Sequence, residues 1–197
     1  MGVKLRPGDA LLLVDVQADF VDGALAVPRA AETIPVLNAY IAAFERHRLP
    51  IVAMRDWHPA NHPSFKAFGG PWPPHCVVNS PGAQFAAGLV VPPRLRMVSK
   101  SSMREQYSGF DDTDMHAVLS DLGVRRLFVG GLATDYCVVA TVLDARKLGY
   151  EVVVLVDAVR AVDVKPGDGE RALRQMLAAG AVPLERAALE AAESARA

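Results

Sequence analysis

Four short, uninterrupted apolar runs, Ala10 to Val14, Ile51 to Met54, Leu127 to Val129 and Val152 to Val156, constrain this chain more than any other feature. A strand with one wet face alternates apolar and polar residues. A run without alternation buries both faces, as strands do in a parallel sheet covered by helices on either side. The intervening segments supply those helices. Ala31 to His47 places Ile34, Leu37, Ile41 and Phe44 at spacings of three and four, which puts them on one helical face. Asp114 to Leu122, Val138 to Leu148 and Glu170 to Leu177 repeat the pattern. Strand alternating with helix predicts a three-layer α/β domain with right-handed crossovers.

The length of 197 residues and an apolar fraction of 51% fit one domain spanning 1–197 with a substantial core. Net charge is only -1, with Lys and Arg scattered among Asp and Glu, so no basic stripe marks a nucleic-acid partner. No apolar run approaches the roughly 20 residues of a membrane span. Two cysteines, Cys76 and Cys137, do not make a disulfide framework, and the opening MGVKLRPGDA lacks the apolar stretch of a secretion signal. A cytoplasmic protein with reduced thiols is the expectation. Monomer, dimer and larger homo-oligomer are all compatible with the chain. The segment Pro59 to Pro93 breaks the strand-helix rhythm. It is rich in Pro, Gly and Asn and too long for an ordinary connection, so it is expected to carry function or disorder. The tail Ala187 to Ala197 reads as a frayed helix without a chemical role.

Three reactive side chains follow strand-like runs. Cys137 lies in GGLATDYCV, where a strand passes through a diglycine into a helical stretch. A thiol in a first helical turn feels the positive end of the macrodipole, which favours thiolate and makes a nucleophile. Asp15 ends the run from Ala10, and Lys100 ends the run Leu95 to Ser99. In the long loop, Asp56 and His58 are two residues apart, so a continuing strand would project both from one face, and His75 can supply a third ligand. Carboxylate oxygen with imidazole nitrogen suits Zn, Fe, Mn or Co and leaves positions open for water or substrate. Each residue also has a plainer reading. Cys137 could be core packing, Asp15 a turn cap, Lys100 a solvated strand end, and the histidines ordinary loop residues. Cys76 is read as a packed bystander, His62 as structural support, and His47 and His116 as solvated or capping residues on helices.

Taken in order, LLLVDVQADF, RDWHPANHPSF, WPPHCV, VSK, YSGF and GGLATDYCV resemble the nicotinamidase (pyrazinamidase) branch of the isochorismatase-like cysteine hydrolase family, over about Asp9 to Leu184. The resemblance implies a three-layer Rossmann-like (isochorismatase-like) α/β fold with a mainly parallel central sheet. It implies a catalytic triad of Asp15, Lys100 and Cys137, and one divalent metal, Zn, Fe or Mn, on Asp56, His58 and His75. Phe20 and Trp72 would sandwich a pyridine ring, with Tyr107 lining the pocket. The Leu132–Ala133 bond falls where members have a cis peptide that aims the Ala133 and Cys137 amides as an oxyanion hole, with Leu132 at the substrate. Ser64 stands where some members place an extra His or Glu ligand, so coordination is open there, to the serine or to water.

The activity implied is hydrolysis of nicotinamide, and of pyrazinamide, through a Cys thioester, with the metal orienting the ring. Three alternatives stay open. One is another cysteine amidase of the family, acting on a carbamoyl or maleamate-type amide. The others are a metal-activated hydrolase with a spectator thiol and a non-catalytic metal-binding protein.

Overall fold

The computed structural model describes residues 3–194. Each of the four apolar runs lies within a strand: β1 (Asp9–Val14), β2 (Ile51–Asp56), β4 (Arg126–Leu132) and β5 (Glu151–Arg160). Two edge strands, β3 (Arg96–Lys100) and β6 (Val182–Leu184), complete a six-stranded sheet in the order β3-β2-β1-β4-β5-β6. Every neighbouring pair is parallel. Successive residues of β1 divide between two cores. Ala10, Leu12 and Val14 join one and Leu11 and Leu13 the other, which is why the run shows no alternation.

The first core is covered by α3 (Met115–Asp121), α4 (Val139–Lys147) and α5 (Asp168–Ala178), through residues such as Met115, Leu119, Val142 and Met176. The second is covered by α2 (Thr33–Arg46), whose Leu37, Tyr40, Ile41 and Phe44 are nearly or wholly sealed from solvent. The C-terminal helix α6 (Arg186–Ser194) closes the same side with Leu189, only 1% exposed. The expected frayed tail is therefore a docked helix as far as Ser194, and residues 195–197 lie outside those described. One further helical turn, α1 (Ala18–Val21), follows β1 directly. Among the described residues no helix is long and apolar enough to cross a membrane.

Two strands depart from the sequence reading. β6 has only three residues and contains Pro183, which is tolerated because an edge strand need not donate on its open side. β3 is not a buried strand: Arg96 and Met97 are exposed, while Val98 and Lys100 turn inward. The loop from Pro59 to Pro93 is built rather than formless. It holds 3-10 turns at Lys66–Phe68 and Pro81–Ala83 and single bridges pairing His58 with Val77 and Phe65 with Trp72.

From β1 the chain moves to β2 and β3 on one side, then crosses to β4, β5 and β6 on the other. The strand order reverses between β1 and β4. In open parallel sheets the crevice at such a reversal, beyond the carboxyl ends of the strands, is where ligands bind.

Candidate active site

Four strand ends deliver the reactive groups to that crevice. Asp15 follows β1 with a left-handed backbone (φ 47), a conformation Asp accepts more readily than most residues, and its amide donates to the Met54 carbonyl at 3.1 Å. Asp56 and Lys100 are the last residues of β2 and β3 and face each other in register. β4 passes through Gly131 (φ 125), where an added Cβ would lie 2.1 Å from the Val14 carbonyl oxygen, so only glycine lets β4 lie this close to β1. The Leu132–Ala133 bond is cis. A wide turn of π-helical type, Thr134–Val138, then presents Cys137 ahead of α4.

Asp15, Lys100 and Cys137, distant in sequence, meet as expected. Lys100 Nζ lies 2.7 Å from Asp15 Oδ2 and 3.3 Å from Cys137 Sγ. Asp15 Oδ1 is buried with no hydrogen-bond partner among the described residues, leaving a lone pair for the thiol proton. Asp56, His58 and His75 converge as well, with one ligand atom from each lying within 4.8 Å of the others. Their carboxylate and imidazole donors suit a divalent metal. His75 Nδ1 is 2.8 Å from the Pro73 carbonyl and donates to it, which leaves the Nε2 lone pair free on the Asp56 side. The strand ends at Asp56, yet the His58 bridge to Val77 keeps the backbone extended for the two further residues.

His62 and Ser64 are committed to each other. His62 Nε2 lies 3.0 and 3.2 Å from the Ser102 and Arg104 carbonyls and so carries the proton, and Nδ1 accepts from the Ser64 hydroxyl at 2.7 Å. The His62 ring stacks on the His58 ring with centroids 4.1 Å apart. Cys76 is sealed in a small cluster with Phe20 and Ala83, as a bystander should be. His116 is exposed and pairs with the Tyr150 hydroxyl at 3.0 Å, and His47 caps α2.

The cavity over both trios is lined by Phe20, Trp72, Tyr107, Ala133 and Cys137, with Asp56, His58 and His75. Leu132 is wholly buried in the cluster around Phe20 and does not line it. Trp72 donates from Nε1 to the Tyr107 hydroxyl at 3.2 Å, and the Tyr107 hydroxyl contacts Glu105 at the rim. Tyr136, unremarked in the sequence, completes the wall edge-on to Trp72 at 5.3 Å. Its position immediately before Cys137 was the only available signal.

Burial dominates the electrostatics. It raises Asp15 to about 6 even though Lys100 opposes it, with Asp56 adding to the rise. Burial likewise pushes the Cys137 thiol well up despite the neighbouring Lys100 ammonium, opposite to the shift expected from its place in a first helical turn. Burial would also raise Asp56, but Lys100 and His58 beside it hold its carboxyl below the usual range. Lys100, although buried, is held firmly charged by Asp15 and Asp56. Burial lowers His75, which keeps its imidazole neutral and able to ligate. Sequence reasoning linked Lys100 to Asp15 but missed its second contact, 2.7 Å to Asp56 Oδ1, which joins the two trios into one cluster.

Comparison with known proteins identifies the family and the fold. The model of the isochorismatase domain matches residues 9–188. A nicotinamidase from Escherichia coli (strain K12) is 41% identical, with the match covering 89% of this chain and 93% of that protein. A crystal structure of a pyrazinamidase of Pyrococcus horikoshii in complex with zinc superposes with TM-score 0.87 at 47% identity, covering 91% of this chain and 99% of that one. A protein from L. infantum, crystallised in complex with nicotinate, superposes with TM-score 0.87 at 37% identity, covering 96% and 98%. This chain belongs to the isochorismatase family, in its nicotinamidase branch.

Proposed function

We propose that the protein hydrolyses nicotinamide to nicotinate and ammonia and accepts pyrazinamide in the same pocket, as an amidohydrolase of the cytoplasm. The observation that carries this reading is the buried Lys100 ammonium, in contact with Asp15, Asp56 and Cys137, the last two of which line an aromatic cavity. A thiol, a base and a metal cradle share one charge network there, and the flat apolar walls suit a heteroaromatic ring.

The amide is a poor electrophile and needs a strong nucleophile, a polarised carbonyl and a protonated leaving group. Cys137 Sγ attacks the carboxamide carbon while its proton passes to Asp15. The raised Asp15 makes a better base than an ordinary carboxylate, and a thiol that burial pushes up needs such a base. Lys100 fixes Asp15 and offsets the negative charge that moves between carboxylate and sulfur. The backbone amides of Ala133 and Cys137 stabilise the tetrahedral oxyanion, a contribution of about 3–4 kcal/mol for one well-placed donor. Collapse breaks the carbon–nitrogen bond, and Asp15 returns its proton to the departing ammonia. A water that surrenders a proton to Asp15 then cleaves the thioester, and Cys137 regains its hydrogen as nicotinate forms.

Asp56, His58 and His75 would hold one divalent ion, zinc, iron or manganese, which would supply a Lewis-acidic anchor for the pyridine ring. Phe20, Trp72 and Tyr107 line the cavity, where the first two would face the ring and Tyr107 would close one side. Ammonia release from nicotinamide by wild type, Cys137→Ala and chelator-stripped protein tests the nucleophile, the metal and the substrate together. Activity surviving full metal removal would refute the ring-anchoring role, and activity surviving loss of the thiol would refute the thioester route.

A further inference from the structure

We propose that Gln17 and Asp19, in the turn leaving β1, are positioning residues that clamp the metal cradle from beneath, setting its affinity for the ion without touching it. The inference rests on the metal reading above. Gln17 is wholly buried and its carboxamide is fully used. Its Nε2 donates to the Asp56 carbonyl at 2.8 Å and the Ala83 carbonyl at 2.9 Å, and its Oε1 accepts from the Asp56 amide at 2.8 Å. Both polar groups of the Asp56 backbone flank the ligand side chain, so this two-point grip fixes the direction in which the carboxylate leaves β2.

Asp19 holds the other end. Its Oδ2 accepts from the Cys76 amide at 2.7 Å, immediately after His75, and its Oδ1 accepts from the Ala24 amide at 3.1 Å. Cys76 itself adopts a left-handed backbone (φ 47), a conformation that needs such a tie to persist. At Gly82 a Cβ would lie 2.1 Å from Asp19 Oδ2, so the loop backbone closes directly over the carboxylate. Phe20 adds ring contact with His75 at 5.6 Å between centroids. One short turn, beginning with Asp15, thus grips the chain beside two of the three ligands, adding to the bridge by which His58 pairs with Val77.

Outer groups that orient metal ligands are worth about 10- to 100-fold in metal affinity when removed. The test measures zinc affinity of the full-length, metal-stripped protein by competition with a chromophoric chelator, for wild type, Gln17→Met, Asp19→Asn and Thr33→Val. Thr33 is a buried control whose hydroxyl donates to the Ala30 carbonyl at 2.7 Å, at the start of α2. Gln17→Met and Asp19→Asn are expected to weaken zinc binding about 10- to 100-fold, and Thr33→Val to leave it unchanged. Wild-type affinity in either folded clamp variant overturns the role of that residue, and an equal loss in Thr33→Val reduces the clamp to general stability. If Gln17→Met does not fold, Asp19→Asn decides. Wild type that takes up no zinc would instead overturn the metal reading, and this inference with it.

Discussion

Lys100 and Asp56 end neighbouring parallel strands as register partners, and the Lys100 ammonium sits 2.7 Å from Asp56 Oδ1. The same nitrogen reaches Asp15 at 2.7 Å, so one buried cation serves both the proposed base and a proposed metal ligand. Neutralising it as Lys100→Met would strand two carboxylates in a water-poor site. Removing one partner of a buried pair costs about 3–5 kcal/mol, and chemical denaturation of the metal-free protein should show a loss of that size. Turnover should fall by at least about a thousandfold, because Asp15 would bind its proton too tightly to act as base near neutral pH. A variant with wild-type stability and activity would contradict the central role of this lysine.

Cys137→Ala should lower kcat for nicotinamide by about 10⁴-fold or more, as loss of a covalent nucleophile commonly does, while the pocket still binds the ring. Calorimetry with nicotinamide and metal-loaded variant separates the two effects. Retained binding with no ammonia release is the expected pair of results, and retained release would favour direct attack by water.

The raised Asp15 gives the pH dependence its sign. Asp15 must be ionised to take the thiol proton, so kcat/KM should fall below about pH 6, by roughly tenfold per unit. Folding stability runs the other way. Between the ordinary carboxylate range and about 6 the folded state holds a proton that the unfolded chain has released, so this group's penalty grows as pH rises and is complete above about 6. Activity profiles on samples of verified metal content check the first trend. A rate unchanged down to pH 4.5 would exclude Asp15 as the base.

The parallel sheet was legible because β1, β2, β4 and β5 bury both faces and therefore read as unbroken apolar runs. β6 was not, since three residues including a proline carry no pattern. Both reactive trios were legible through motif order, but their union through Lys100 and Asp56 depends on strand register, which no single segment encodes. Gln17 carries no signal of its own within LLLVDVQADF, since it acts through bonds to Asp56 and Ala83, 39 and 66 residues away. Glu105 and Tyr136 escaped for a related reason: only the fold turns them toward the cavity.

The far end of the sheet offers a way to separate stability from chemistry. Arg126 and Asp9 are register partners at the starts of β4 and β1. The guanidinium grips the carboxylate with Nε at 2.8 Å from Oδ1 and one terminal nitrogen at 2.7 Å from Oδ2. Asp9 is only 1% exposed, so Arg126→Ala leaves a buried carboxylate with the Arg6 amide at 2.7 Å and the half-exposed Arg6 guanidinium at 4.0 Å. A charge-assisted bidentate contact of this kind should be worth about 2–3 kcal/mol in denaturant unfolding. The reactive groups stand at the opposite, carboxyl ends of these strands, so kcat and KM for nicotinamide should stay within about twofold of wild type at temperatures where the variant is folded. A large fall in kcat without a matching loss of stability would mean that strain travels along β1 into Asp15, and that the sheet does more than hold the site still.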